Sequence, residues 1–279
     1  MALSSFQRGV CRLLAQNRLE SGQSYLAGGA ALNDLLLSPR LSRDLDLFHD
    51  TLEALDFTWR ADRLVLQNAG YELQILRERA GFVEAQVTKN EESTTVQESV
   101  LIQWVRDSAF RFFPLLPHAD FGLTLHPFDL ATNKILALVG RVETRDWIDA
   151  LTCHQQVAPL GYLIWAACGK DEGWNPLLIL DEAARNSRTS REEWNEIEWQ
   201  GAAPDLVESK TKWRTALSQA REIVAFLPPE EIGKAVTNQA GALFRGDVAP
   251  LQVALDENAL RFHEGHIGGA WPQLKIQHP

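Results

Sequence analysis

Nowhere in the 279 residues do 18 or more apolar residues run together, so no segment reads as a membrane-spanning helix. Cysteine is scarce. Cys11, Cys153 and Cys168 form an odd set without a C-x-x-C pairing, which excludes a disulfide framework or a zinc-cluster spacing and predicts reduced thiols in a cytoplasmic protein. The first twenty residues carry Arg8, Arg12 and Arg18 against one acid, Glu20, but have no apolar core and no small-residue cleavage site. They read as an ordinary helix and not as a targeting peptide. An excess of positive charge is missing too: the net charge of −10 argues against indiscriminate binding to nucleic acid, whose phosphates repel an acidic surface. A local basic cleft remains compatible with that charge, because Arg8, Arg12, Arg18, Arg40 and Arg43 all fall in the first fifty residues. Internal repeats and low-complexity segments are absent.

With 45% hydrophobic and 23% charged residues, the chain has the composition of a soluble globular protein, long enough for one large domain or two modest ones. Residues 5–20 place Phe6, Val10, Leu13 and Leu14 at helical spacing. SYLAGG at 24–29 predicts a short strand ending in a glycine turn, and AALNDLLLS at 30–38 a helix closed by Pro39. RLSRDLDLF at 40–48 alternates polar and apolar residues, the pattern of a strand. A helix over 52–68 follows, then two or three strands in 71–89 and 97–108 around the break NEESTT. From Phe128 onward the pattern turns helical, with further helices expected over 176–186, 190–199, 205–226 and 247–260 and loops at Pro228-Pro229 and 201–204. The fold class is α+β: a core with a small mixed sheet over 1–160, then a helical region over 161–279, with the boundary falling within 155–175.

The chemically informative stretch is Gly28-Gly29, then fourteen residues, then Asp44-Leu45-Asp46. In an extended strand residues i and i+2 share a face, so Arg40, Ser42, Asp44 and Asp46 point one way while Leu41, Arg43, Leu45 and Leu47 point the other. Two carboxylates one strand repeat apart can grip hard divalent cations such as Mg²⁺ or Mn²⁺ through oxygen. Paired ions there could bridge triphosphate oxygens and activate a hydroxyl. Gly28-Gly29 at a strand-to-helix turn lets backbone N–H groups approach a phosphate with no Cβ in the way. The plain alternative is an edge strand with solvated acids after a routine glycine turn, since either motif alone is common.

YLAGGAALN…RLSRDLDLF resembles the opening signature of the AbiEii/AbiGii-type nucleotidyltransferase toxins, a branch of the DNA polymerase β-like nucleotidyltransferase superfamily. DLATNKILALVGRVETRDWIDAL is similar to that family's lysine followed by an R-D-x-x-D segment, and FHEGHIGGAWP is reminiscent of bacterial chains of the group. The resemblance implies a two-metal nucleotidyltransferase core with an added helical region, NTP as substrate, and an RNA such as tRNA as acceptor. It further implies the toxin of a type IV toxin–antitoxin pair, with a cognate antitoxin as partner. By position, Asp44 and Asp46 match the metal pair, Gly28 and Gly29 the glycine turn, Lys134 the lysine that contacts the triphosphate, and Asp146 the downstream acid. Two positions depart from the pattern. Ala30 stands where a hydroxyl residue often follows the glycines. For the third metal carboxylate, the inward-facing candidate in VLIQWVRD is Gln103, a neutral amide, or else Asp107.

On an unbroken helix Lys134, Arg141 and Arg145 would share one face, a basic stripe suited to triphosphate or RNA backbone, and Ser42 and Arg141 join the nucleotide-binding candidates. Gly140 and Thr144 predict a break instead, placing Asp146 in the first turn of the next helix, where it could simply complement the dipole while Lys134 snorkels to solvent. His263-Glu264-Gly265-His266 lacks the H-E-x-x-H spacing of a helical zinc site and reads as a structural or partner-facing loop. Cys153 and His154 would point apart on a helix, which argues against a nucleophile pair. Trp194, Trp199 and Trp213 read as core, and Arg185, Arg188 and Arg191 as a solvated run or a minor RNA contact. Two rivals accompany the RNA-modifying enzyme: a transferase acting on a small molecule such as an aminoglycoside, which the acidic charge suits, and a catalytically silent binding module, which Gln103 suits.

Overall fold

The computed structural model describes residues 3–89 and 98–272; the break expected at NEESTT lies outside them. The chain forms two compact units. The first comprises the described residues up to Ala109 together with Leu115–His126 and Glu198–Gly201; the second comprises Phe110–Pro114, Pro127–Ile197 and the described residues from Ala202 onward. The main division between them falls at His126/Pro127.

In the first unit, α1 (Ser5–Ser21) begins in a capping box: Ser4 Oγ accepts from Gln7 N and the Gln7 side chain accepts from Ser4 N. It ends at Gly22, whose left-handed φ of 63° is easiest for glycine. The helix leads into β1 (Ser24–Ala27), α2 (Gly28–Leu35), β2 (Asp44–His49), α3 (Leu52–Asn68), β3 (Glu72–Arg79), β4 (Phe82–Lys89) and β5 (Glu98–Arg106). After β6 (Phe110–Arg111), which belongs to the second unit, β7 (Leu116–His118) and β8 (Gly122–Thr124) complete a seven-stranded mixed sheet ordered β3-β4-β5-β2-β1-β8-β7. The ladder of β2 starts at Asp44 and not at residue 40; Arg40 instead makes an isolated antiparallel bridge with Trp199.

Alternation in β2 sorts its side chains cleanly. Leu45, Leu47 and His49 are buried, while Asp44, Asp46 and Phe48 are half-buried. β2 runs parallel to β5, with Leu45 opposite Ile102 and Leu47 opposite Trp104, and β5 pairs with β4 so that Ala85 and Val83 extend those apolar rows. The rows between them carry the polar set: Asp46 opposite Gln103, and Gln103 opposite Glu84. α1 and α3 are joined by a buried pair, Arg18 to Asp62 at 2.7 Å, and Asp62 also accepts from Trp104 Nε1 at 2.8 Å and Asn17 Nδ2 at 2.7 Å. Burying two charges is costly unless their remaining hydrogen-bonding capacity is met, and here the neighbours of Asp62 meet it.

The second unit is built on α4 (Pro127–Gly140), α5 (Thr144–Gln156), α6 (Leu160–Ala167), α7 (Pro176–Asn186), α8 (Arg191–Asn195) and α9 (Leu206–Phe226). α6, LGYLIWAA, is buried all round and forms the centre of this bundle. Gly161 admits α9 at close quarters, since a Cβ there would lie 2.7 Å from that of Ile223. Trp147, Trp194 and Trp213 pack together as core, with the Trp147 indole donating to Thr189 Oγ1 at 2.7 Å; Trp199 is half-buried. The helices expected at 190–199 and 247–260 are shorter than predicted. α8 stops at Asn195, and α10 (Val248–Asp256) gives way to a ribbon in which β10 (Leu260–His263) pairs with β9 (Ala235–Asn238). HEGH turns from β10 into β11 (His266–Ile267); His263 Nε2 lies 2.8 Å from the Phe112 carbonyl and 2.9 Å from that of Ala270, a structural tie. No helix among the described residues is long and apolar enough to cross a membrane.

Candidate active site

β1 and β2 are antiparallel with Ala27 opposite Asp46, so the glycine turn that follows Ala27 emerges beside the second aspartate. Gly28 sits at φ 64°, a left-handed conformation that side chains disfavour, and a Cβ there would lie 2.8 Å from Asp46 Cγ. The Asp46 carboxylate therefore occupies space that only glycine leaves open. Gly29 plays the same part for another group, because its missing Cβ would stand 2.8 Å from Arg40 Nη2 and 3.5 Å from Ser42 Oγ. α2 begins at Gly28, with Ala27 as an N-cap that makes no side-chain capping bond, so the positive end of the helix lies at this cradle. Gly28, Gly29, Arg40, Ser42 and Asp46 are thereby in one place, with Asp44 one strand repeat from Asp46 on the same face.

The loop that presents this set is tied down from two sides. Gln7 is 6% exposed, and its Nε2 donates to the carbonyls of Ser42 at 2.9 Å and Arg43 at 3.0 Å. Leu41 N donates to Glu198 O at 2.9 Å, Gln200 N to Pro39 O at 2.7 Å, and Arg43 pairs with the Glu198 carboxylate at 2.8 Å. Ser42 Oγ donates to the Asp44 carbonyl at 3.3 Å. Sequence reasoning did not single out Gln7 or the 198–200 clip. The capping box S-x-x-Q is visible locally, but the second use of the Gln7 amide depends on where α1 packs.

Gln103, the inward-facing candidate of VLIQWVRD, stands opposite Asp46, and its Nε2 donates to Glu84 Oε1 at 2.8 Å. Glu84, one strand further and 8% exposed, lies 3.5 Å from Arg77 Nε through its other oxygen. Among the described residues no three His, Cys, Asp or Glu side chains converge on one point. The donor set near the glycine turn is thus a pair of half-buried carboxylates on one strand face. That set suits Mg²⁺ or Mn²⁺, which one or two carboxylates can hold when water and phosphate oxygens complete the shell. Asp107 is not on the β5 ladder; its N donates to the His49 carbonyl at 3.0 Å.

In the second unit the expected break appears: α4 ends at Gly140 and α5 starts at Thr144, with Glu143 and not Thr144 as the N-cap. Asp146 lies in the first turn of α5, as predicted. Lys134 is 7% exposed, and its ammonium lies 3.0 Å from Asp146 and 3.1 Å from Asp149, both fully buried. Arg141 Nε adds a bond to Asp146 at 2.8 Å. Burial alone would push the Asp146 carboxyl up, but Lys134 and Arg141 outweigh it and hold the group below the usual range. Arg145 lies 2.6 Å from Glu143, so the stripe expected from an unbroken helix resolves into separate pairs. Cys153 is buried, and the neighbouring His154 Nδ1 accepts from Leu160 N at 3.0 Å, consistent with two unrelated side chains.

No protein-family model and no curated protein matches the sequence. Solved structures do match. JHP933 from Helicobacter pylori overlays with a TM-score of 0.56 at 13% identity, covering 80% of this chain and 95% of that one. A candidate nucleotidyltransferase from H. pylori overlays with a TM-score of 0.54 at 14% identity, covering 81% and 99%. At such identities the likeness is one of fold, and it bears out an α+β architecture with a mixed sheet and a helical region.

Proposed function

We propose that this chain is a metal-dependent nucleotidyltransferase that moves a nucleotide from an NTP to an RNA acceptor. The observation that carries the reading is the fit of the Asp46 carboxylate against Gly28, beside Asp44 on the same strand face and in a fold shared with a candidate nucleotidyltransferase. An acceptor hydroxyl would attack the α-phosphorus in line. The new phosphorus–oxygen bond forms as the bond to the oxygen bridging the β-phosphate breaks, pyrophosphate leaves, and the hydroxyl proton passes to solvent. Asp44 and Asp46 would hold the divalent ions, which when bound neutralise charge on the triphosphate and the departing pyrophosphate. The N–H groups of the first turn of α2 would bind phosphate oxygens beside the Asp46 carboxylate and the Arg40 guanidinium. The resemblance of YLAGGAALN…RLSRDLDLF and of the lysine/R-D-x-x-D segment to AbiEii/AbiGii chains supports a toxin with a cognate antitoxin and a tRNA-like acceptor.

A second reading has its own observation. Gln103 places a neutral amide opposite Asp46 and commits it to Glu84, an arrangement that a nucleotide-binding module without turnover would tolerate. One experiment separates the two. The protein is incubated with Mg²⁺, each labelled NTP in turn and total RNA, then resolved on a gel. One NTP should label an RNA band, and Asp46→Ala should abolish that label while leaving the melting temperature nearly unchanged. Failure of every NTP to label RNA, with NTP binding intact, would favour the silent module; label on an aminoglycoside in place of RNA would favour the small-molecule acceptor.

A further inference from the structure

We propose that Arg40 is the phosphate-binding cation of the glycine cradle, gripping the β- and γ-phosphates of the nucleotide; this rests on the nucleotidyltransferase reading. Arg40 is 5% exposed, an unusual place for a guanidinium unless something in the fold or a ligand uses its charge. Its Nη2 lies 2.8 Å from the point a Cβ on residue 29 would occupy, and Ser42 Oγ lies 3.5 Å from the same point. Gly29 therefore serves a side chain of this chain as well as the approach of a ligand, and it brings a planar cation level with the backbone that would seat phosphate. A guanidinium offers parallel N–H donors matched to two phosphate oxygens, a geometry that an ammonium does not reproduce.

The surroundings hold this group ready. Arg40 Nη1 donates to the Leu41 carbonyl at 3.0 Å and Arg40 N to Ser38 Oγ at 3.3 Å. Residues 39–41 are clipped by Glu198 and Gln200, and residues 42 and 43 by Gln7, so the loop carrying Arg40 is ordered before any ligand arrives. Pre-ordering lowers the entropy that binding must overcome. Arg40 and Ser42 face Gly29 while Asp46 faces Gly28, so the cradle presents cation and hydroxyl at one glycine and carboxylate at the other. A triphosphate would complement that polarity, with its terminal phosphates, which carry the most negative charge, at Arg40.

The rival role is purely structural, with Arg40 as a counter-charge for the aspartates. Calorimetric titration of a nucleoside triphosphate and the matching monophosphate, both with Mg²⁺, separates the two in wild type, Arg40→Gln, Arg40→Lys and Asp46→Asn. Arg40→Gln is expected to weaken triphosphate binding about tenfold to a hundredfold, the range for loss of a charge-assisted bidentate contact, and monophosphate binding less than about twofold. Arg40→Lys is expected to fall between. Should Arg40→Gln fail to fold, Arg40→Lys, checked by its melting curve, carries the test. An undiminished, wild-type preference for triphosphate over monophosphate in whichever variant folds overturns the proposal, as does an equal loss for both nucleotides. If wild type binds no triphosphate, the nucleotidyltransferase reading falls and this one with it. If wild type binds, Asp46→Asn loses that binding and the Arg40 variants do not, the Arg40 assignment alone falls.

Discussion

Gln103→Glu restores a carboxylate opposite Asp46, and its consequences can be worked from the local contacts. The substitution converts the donor of the 2.8 Å bond to Glu84 into a second acceptor beside a side chain only 8% exposed. Losing a hydrogen bond to a charged group costs about 1.5–3 kcal/mol. Placing two carboxylates side by side adds repulsion of about 1 kcal/mol or more at the partial burial of this face. The metal-free variant should therefore be about 2–4 kcal/mol less stable, a drop of roughly 2–4 °C in melting temperature for each kcal/mol. Divalent ions should reverse this. A ligand at one hundred times its dissociation constant contributes about 2.7 kcal/mol, so Mg²⁺ should raise the melting temperature of the variant several degrees more than that of wild type. Scanning calorimetry across a Mg²⁺ series reads both effects. The double variant with Asp46→Asn should lose the added metal response, because the new carboxylate acts together with Asp46. An unchanged metal-free melt, or equal Mg²⁺ shifts in variant and wild type, would refute the register argument that sets residue 103 beside the metal pair.

Two further outcomes follow from buried charge. His49 is fully buried on the apolar side of β2; burial, with Arg18 nearby, lowers its pKa to about 4. Its stabilisation is complete above the ordinary value near 6.5 and is lost as the pH falls towards 4, since only the unfolded chain takes up the proton in that window. Between pH 7 and pH 5 denaturant titration should show about 2 kcal/mol more loss in wild type than in His49→Gln, at about 1.36 kcal/mol per pH unit; equal slopes would refute the assignment. Lys134→Met strips the cation from Asp146 and Asp149, both fully buried, and should cost about 3–5 kcal/mol in a denaturant melt. Adding Asp149→Leu should recover part of that loss, and a cost below about 1 kcal/mol for Lys134→Met would mean that the pair is not as buried as it stands.

Much of the first unit was legible in the sequence because its signals are local. The alternation of DLDLF put Leu45 and Leu47 inside and Asp44 and Asp46 together on the other face, a consequence of the pleat itself. The punctuation of Gly28-Gly29 and the helical periods of 5–20 and 52–68, like that of 205–226 in the second unit, needed no partner to be read. Boundaries were less legible where tertiary contact overrode pattern. Residues 40–43 alternate as a strand should, yet their hydrogen bonds go to the 198–200 segment and to Gln7. The stretch Leu260–His263 follows a helical run but pairs with β9.

Sequence alone determined which chemical groups face the same way along β2 and that a glycine turn precedes them, because a strand's twofold period is set by its own backbone. Only the tertiary structure decided what stands beside those groups. It brought Gln103 and Glu84 into the row of Asp46, Arg40 against Gly29, and Asp149 onto Lys134 next to Asp146. Strand register, helix crossing and the reach of a long side chain arise from burying distant apolar surfaces together, and none of them is written in the spacing of neighbouring residues.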